Sequence, residues 1–403
     1  MTPADSPALV NSQSQSTQGQ TYDLIIVGAG VIGAWTAYKA GKNGLKTLLV
    51  DAQKLGAGAS GGLLGALMPH MPERWDGKKQ FQFEALEDLP REIAQLENET
   101  GQDCGYNQCG RLAPIMNETK RGQMQGHGAN VDEFWHGRYQ WQIVDQPFEK
   151  DWPNADKATC GLVYDTLSAR INPRGLLNAL KAAIAHDDKI TLLEGVALES
   201  YDAFKKQAIL SNHEKVLFSH IVLSAGVQTF DFIAPELKVV TQALGKPIKG
   251  QAAMLAADID PNWPIVFDNG VYVISHGSGK VAVGSTSELE FADPFTTDEK
   301  IDDAILRARQ LCPLIKDTPV IEKWAGLRPR AAGRDPLIDI MPEHRNVIVS
   351  TSGFKITFGV AHKMADVAIE QILGDLKTVV PDSFKIAAHL AKARRAEKQD
   401  NLS

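Results

Sequence analysis

Residues 22–51 read YDLIIVGAGVIGAWTAYKAGKNGLKTLLVD. Tyr22 to Val27 is a short, nearly continuous apolar run, the pattern of a parallel strand buried on both faces. Gly28-Ala29-Gly30-Val31-Ile32-Gly33 follows at once. A helical stretch from Val31 to Asn43 ends near Gly44, and Lys46 to Val50 reads as a second strand closed by Asp51. Together they make a right-handed βαβ unit of about thirty residues, the minimal crossover of a dinucleotide-binding fold. A bare G-x-G-x-x-G carries little information. Here it leaves a strand, opens a helix and is followed by an acid eighteen positions past Gly33. Gly28 permits the tight turn, Gly30 lets backbone approach a pyrophosphate, and Gly33 lets helix and sheet pack closely. The helix start at Val31 and Ile32 offers free N–H groups and about half a positive charge to phosphates. Asp51, with Ala52 beside it, would accept hydrogen bonds from ribose hydroxyls.

Beyond Asp51 a second glycine loop, Gly56-Ala57-Gly58-Ala59-Ser60-Gly61-Gly62, would bring further backbone N–H groups to a long ligand. A helix is expected from Phe81 to Thr100, then an irregular region rich in aromatics: Phe134, Trp135, Tyr139, Trp141 and Trp152. That cluster has two readings, a pocket wall or plain core. Pro173 to His186 reads as a helix, with strands near Ile190–Val196 and Ile221–Leu223. Val271–Ile274 and Val281–Val283 read as a hairpin around Gly277-Ser278-Gly279. Asp298–Leu311 is helical, Val347–Ser350 a strand, and Val360–Leu373 a helix. The tail from Phe384 is basic and helix-prone, a docked or solvated helix rather than a membrane-binding one. No internal repeat is visible.

The totals agree with a soluble globular protein. The chain has 403 residues, 43% of them hydrophobic and 23% charged, enough for two intertwined domains. A net charge of −7 argues against a dedicated nucleic-acid binder, and no DNA partner is expected. The four cysteines, Cys104, Cys109, Cys160 and Cys312, form no C-x-x-C pair, which suits a reducing compartment. Residues 1–20 lack a signal-peptide pattern and read as a disordered tail. Leu55 to Met71 is uncharged, but it is broken by glycines and too short for a span of about 20 residues. His70 and His276 fall near the expected site, but no metal-ligand spacing surrounds them and each reads as a packed or exposed histidine; no metal is expected.

From the glycine turn and the G-A-S segment onward, the chain resembles the FAD-dependent glycine oxidase and D-amino acid oxidase family. The resemblance implies FAD bound through Gly28, Gly30, Val31, Ile32, Gly33, Asp51, Ala52, Gly58, Ala59 and Ser60. It also implies backbone beside the flavin at Gly65, Ala66 and Leu67, an adenine contact at Val196, and close approach at Ala225 and Gly226, which end Ile221-Val222-Leu223-Ser224-Ala225-Gly226. Gly353-Phe354-Lys355-Ile356-Thr357-Phe358-Gly359 resembles the segment that brings a helix N-terminus to the flavin's pyrimidine end, where it would stabilise reduced flavin.

Trp324-Ala325-Gly326-Leu327-Arg328-Pro329 is similar to the family's W-A-G-L-R-P, whose arginine binds the substrate carboxylate. A planar guanidinium suits that task, although a structural ion pair is the other use of such an arginine. Tyr272 resembles the tyrosine that holds the same carboxylate. Lys355 sits where glycine oxidases tend to have a basic or polar residue beside the substrate; it would meet a second acidic group or face solvent. Ser287 replaces the methionine of the family's V-G-A-T-M, a departure from a pocket shaped for glycine alone. Leu64 to Arg74 looks more like the oxidase domain of the bifunctional enzyme that trims a carboxymethylaminomethyl group on tRNA.

The expected architecture is α/β, α+β overall: a discontinuous Rossmann-type FAD-binding domain (21–90, 160–232 and 328–380) with an antiparallel-sheet substrate domain (91–159 and 233–327) and a basic helical tail (381–403). The resemblance implies oxidation of the C–N bond of a small amino acid or secondary amine of glycine, sarcosine or D-amino acid type. Hydride passes to the flavin and the imine hydrolyses; dioxygen or a quinone is the electron acceptor. A cytoplasmic location follows, with peripheral contact to the inner face of the membrane if the acceptor is a quinone. Two other readings are an oxidase acting on the modified tRNA base and a flavin-binding protein without turnover. Oligomeric state and side-chain specificity are not written in these motifs.

Overall fold

A computed structural model describes residues 16–400, with the side chain of Asp400 excepted. The apolar run at the start becomes the strand Thr21–Val27, central in an eight-stranded sheet because both of its faces are buried. Thr47–Asp51 and Lys215–Leu223 flank it in parallel; Ile190–Glu194 and His344–Thr351 extend the parallel run on either side. Leu337–Met341 closes one edge antiparallel to His344–Thr351, and the hairpin Leu198–Asp202/Gln207–Leu210 pairs with the start of Lys215–Leu223.

Helices Val31–Lys42, Gly77–Thr100, Pro173–His186 and Thr357–Leu373 pack into one core that covers one face of this sheet. Capping explains several boundaries. Asp76 accepts a hydrogen bond from Lys79 N, Asn172 caps the helix that opens on Pro173, and Gly101 and Gly374 take left-handed conformations at helix ends. A second core on the other face includes Thr229–Leu237 and the C-terminal helix Ile386–Asp400.

A second eight-stranded sheet runs Val320–Ala331, Gly245–Ala256, Lys280–Gly284, Val271–Gly277, Ile265–Asp268, Arg111–Pro114, Leu162–Asp165, Trp141–Val144. All neighbours are antiparallel except Ile265–Asp268 and Arg111–Pro114. Helix Glu299–Leu311, capped by Asp298, packs its apolar stripe on this sheet. A short pair, Ala66–Leu67 with Ala169–Arg170, stands apart from both sheets.

Several boundaries differ from expectation. The helix expected from Phe81 begins at Gly77, and the one expected from Val360 begins at Thr357. Leu162–Asp165, assigned by position to the dinucleotide segments, is a strand of the second sheet, and Val320–Ala331 runs across the division expected at 328. Of the tail expected over 1–20, residues 1–15 lie outside the described residues. Residues 16–20 form a turn in which Ser16 Oγ (2.6 Å) and Thr17 N (3.0 Å) donate to Glu214. The basic tail is a docked helix: Ile386, His389 and Ala393 are buried, and His389 Nδ1 accepts from Gly333 N at 3.0 Å. Trp135, Trp141 and Trp152 are core residues, which settles the aromatic cluster. No described helix is long and apolar enough to cross a membrane.

Candidate active site

A cavity of about 880 Å³ runs from the glycine turn at the C-terminal ends of the parallel strands to the second sheet. Ligands of open α/β sheets bind at such strand ends. Gly28, Gly30, Val31 and Ile32 line it, with Asp51, Ala52, Gly58, Ala59 and Ser60 on the adjacent loop. Gly28 has φ +97°, and a Cβ there would run into the backbone of Ser224 and Ala225. Gly33 does not line the cavity. A Cβ on it would overlap the carbonyl oxygen of Gly28, so its part is to let the helix sit against the turn. Asp51 joins the turn to its own loop, accepting from Ala29 N and Gln53 N at 2.7 Å each. Ser60 Oγ accepts from Val31 N at 2.9 Å.

Gly65, Ala66, Ala225 and Gly226 line the cavity as expected. Leu67 does not; it is packed in the core. Val196 is also set back, its N–H donating to Asp51 O at 2.9 Å, while the next residues, Ala197, Leu198 and Glu199, form the wall. The strand ends one residue pair earlier than expected, at Glu194, which shifts the exposed positions. Gly353, Phe354, Lys355, Ile356 and Thr357 all line the cavity at the entrance to helix Thr357–Leu373. Ser352 and Phe354 take positive φ, +63° and +47°, to turn the chain from strand into helix.

At the other end, Arg328 enters from the strand Val320–Ala331. Its Nη2 donates to Thr286 O at 3.1 Å, while Nη1 is buried and has no hydrogen-bond partner. Burial lowers the guanidinium pKa; Tyr272 and Glu288 act in the opposite direction. Tyr272, from Val271–Gly277, lines the same end, its phenol pushed up by burial and eased by the charges of Arg111 and Arg328. Lys355 is open to the cavity, with its pKa lowered by partial burial and then by Arg328.

Sequence reasoning missed Gly250 and Gln251; it quoted Trp324 only as part of a motif and read His70 and His276 as packed or exposed histidines. Gly250 lies beneath Arg328, and a Cβ there would overlap the guanidinium; a glycine inside a strand was the available signal. Trp324 walls the cavity and packs over Gly62 and Gly326. Gln251, fully buried, donates to Glu288 (2.9 Å) and Asp298 (2.6 Å) and fixes the segment that presents the Thr286 carbonyl. His276 is held neutral, its pKa lowered to about 4 by burial; its Nε2 lies 3.1 and 3.0 Å from the carbonyls of Leu63 and Leu64, so it braces the glycine loop. His70 lines the cavity with its ring against Gln82 Oε1. Among the described residues no cluster of His, Cys, Asp and Glu could hold a metal ion.

The residues present fit an elongated dinucleotide. The small residues that line the turn and loops keep backbone N–H groups within reach, side chains would collide at Gly28 and Gly33, and the cavity falls within the range of about 300–1,000 Å³ usual for ligand sites. Residues 23–367 match the family model described as FAD dependent oxidoreductase. Glycine oxidase of Bacillus licheniformis is 23% identical over 375 residues, covering 90% of this chain and 96% of that protein. Glycine oxidase of Pseudomonas aeruginosa is 26% identical over 345 residues, covering 82% and 89%. The structure resembles glycine oxidase from Geobacillus kaustophilus (TM-score 0.76, 20% identity, 90% and 97% covered). It also resembles iminodiacetate oxidase from Chelativorans sp. BNC1 (TM-score 0.78, 19% identity, 90% and 98% covered).

Proposed function

The chain belongs to the DAO family of FAD-dependent oxidoreductases, and from that premise we propose that it oxidises the C–N bond of a small primary or secondary amine whose reacting carbon bears a carboxylate. The observation that carries this reading is the buried Nη1 of Arg328, left without a partner beside the cavity. A carboxylate there would take parallel charge-assisted hydrogen bonds, worth about 1.5–3 kcal/mol each. Tyr272 assists in holding it, and Trp324, Leu327 and Phe358 supply apolar walls that orient the amine. FAD is the family's cofactor, and when bound it supplies the two-electron acceptor. The residues from Gly28 to Ser60, with Gly65, Ala66, Ala225, Gly226 and 353–357, would hold it.

The neutral amine loses the hydrogen of its neighbouring carbon together with the bonding electrons. Its lone pair forms the C=N bond, and water hydrolyses the resulting iminium to a carbonyl compound and the released amine. No side-chain base is required, because the nitrogen enters already deprotonated. Dioxygen or a quinone would then take the electrons from bound FAD. The tRNA-base reading is not favoured, since the matched relatives are named glycine oxidases across most of this chain. A flavin-binding role without turnover is set aside by membership of an oxidoreductase family.

Titrating the FAD-loaded protein with acetate tests the clamp. Saturable perturbation of the flavin absorption band is expected, weakened by about 100-fold, or ~3 kcal/mol, in Arg328→Met. Equal acetate affinity in both proteins would overturn the assignment.

A further inference from the structure

Two cations line the substrate end of the cavity, and among the described residues no acid forms an ion pair with either. Arg328 has a buried nitrogen with no partner, and Lys355 lines the same cavity from the turn before helix Thr357–Leu373, its ammonium over the Phe354 ring, 5.7 Å from the ring centre. Glu288, the acid whose charge acts on Arg328, is paired with Lys300 at 2.9 Å, and Asp298, which shares the Gln251 amide with it, is paired with Lys249 at 3.3 Å. Among the described residues neither Arg328 nor Lys355 enters an ion pair. Gln251, on the same wall, has its amide spent on Glu288 and Asp298. Of the other walls, Trp324, Leu327 and Phe358 are apolar, Tyr272 and Ser285 are uncharged, and the Phe354 ring gives Lys355 a cation–π contact but no counter-charge.

Arg328 is drawn out of water and calls for a partner, and Lys355, exposed to the cavity, would be drawn out of it once a ligand fills the space. An amino monocarboxylate whose amine is neutral brings one negative charge to two positive ones. The helix N-terminus at Thr357 already offers N–H groups to negative charge on a bound cofactor, which leaves the ammonium free for the substrate. We infer that the substrate carries two acidic groups: it is a dicarboxylic amine whose first carboxylate rests on Arg328 and whose second is held by Lys355. This rests on the amine-oxidising reading above and narrows its substrate class.

Matched pairs on the FAD-loaded protein decide it. Binding is read from flavin absorption with 2,2′-thiodiacetate against (methylthio)acetate, and anaerobic flavin bleaching is read with iminodiacetate against sarcosine. The wild type is expected to favour the dicarboxylate by about tenfold or more in both assays. Lys355→Met collapses that ratio toward one, and Lys355→Arg retains it, with FAD content checked in each variant. A wild-type ratio near one overturns the inference, as does a ratio that survives Lys355→Met, because Lys355 then serves the shared carboxylate or the cofactor. If monocarboxylates bind and react without any dicarboxylate preference, this inference alone falls. If no carboxylate perturbs the flavin and no amine bleaches it, the amine-oxidising reading falls first and this one with it.

Discussion

Arg328 rests directly on Gly250, so the clamp depends on a side chain and on the lack of one beneath it. Gly250→Ala should displace the guanidinium and raise KM for a carboxylate-bearing amine by about tenfold while FAD content stays at wild-type level. Steady-state kinetics beside a flavin-to-protein ratio checks this; an unchanged KM would mean that the guanidinium has room to move. That Arg328, Tyr272 and Lys355 come together at one cavity was legible because each lies in a motif or hairpin with its own pattern. Gly250 was not, because its role is defined by a residue far along the chain. A second residue-scale consequence concerns His362, fully buried against Trp35 with both ring nitrogens unpartnered. Burial lowers its pKa from 6.5 to about 3. The unfolded chain therefore binds a proton there at pH values where the folded chain does not. Its contribution to stability is complete above pH 6.5 and is lost as the pH falls toward 3. His362→Met should lose less melting temperature than wild type between about pH 7 and pH 4.5. Parallel melting curves would contradict this.

The element that matters most is the junction of Thr21–Val27 with Val31–Lys42. Ser224 Oγ donates toward Val27 O and Gly28 O at 3.0 and 3.1 Å, binding the end of Lys215–Leu223 to the turn. Gly33→Ala would force the helix off this junction. FAD affinity is expected to fall by about 100-fold, with a lowered melting temperature, as fluorescence of released flavin and thermal unfolding would report. Retention of full FAD affinity would show that the helix can shift without cost. The βαβ unit was legible to within a residue or two because strand, turn and helix each had an unambiguous period. The long pair Gly245–Ala256 and Val320–Ala331 was not recognised as strands. Both carry an internal glycine and a proline, and Gly245–Ala256 has a continuous buried run from Ile248 to Ala253, so neither shows the alternation of a half-exposed strand. The same pair carries Gly250, Gln251 and Arg328. The family motif therefore identified the arginine without revealing the strand that aims it.

At the scale of the whole molecule, the cavity exists because two eight-stranded sheets face it: one brings the glycine turn and Asp51, the other Arg328 and Tyr272. The chain crosses between them repeatedly, so neither half of the site is built from one continuous stretch. Composition established only that enough apolar chain was present for two cores, while the discontinuous division came from the resemblance. Leu162–Asp165 fell on the other side of that division, because a short apolar strand carries no mark of the sheet it joins. The central claim concerns the assembled cavity: it oxidises an amine at a carbon bearing a carboxylate. Anaerobic mixing of the FAD-loaded protein with glycine, sarcosine, proline, iminodiacetate and D-amino acids, beside methylamine and dimethylamine, tests it most directly. Bleaching of the flavin band by at least one carboxylate-bearing amine, with none by the amines that lack the carboxylate, is the predicted result. A flavin that no carboxylate-bearing amine reduces, or that methylamine reduces equally well, would contradict it.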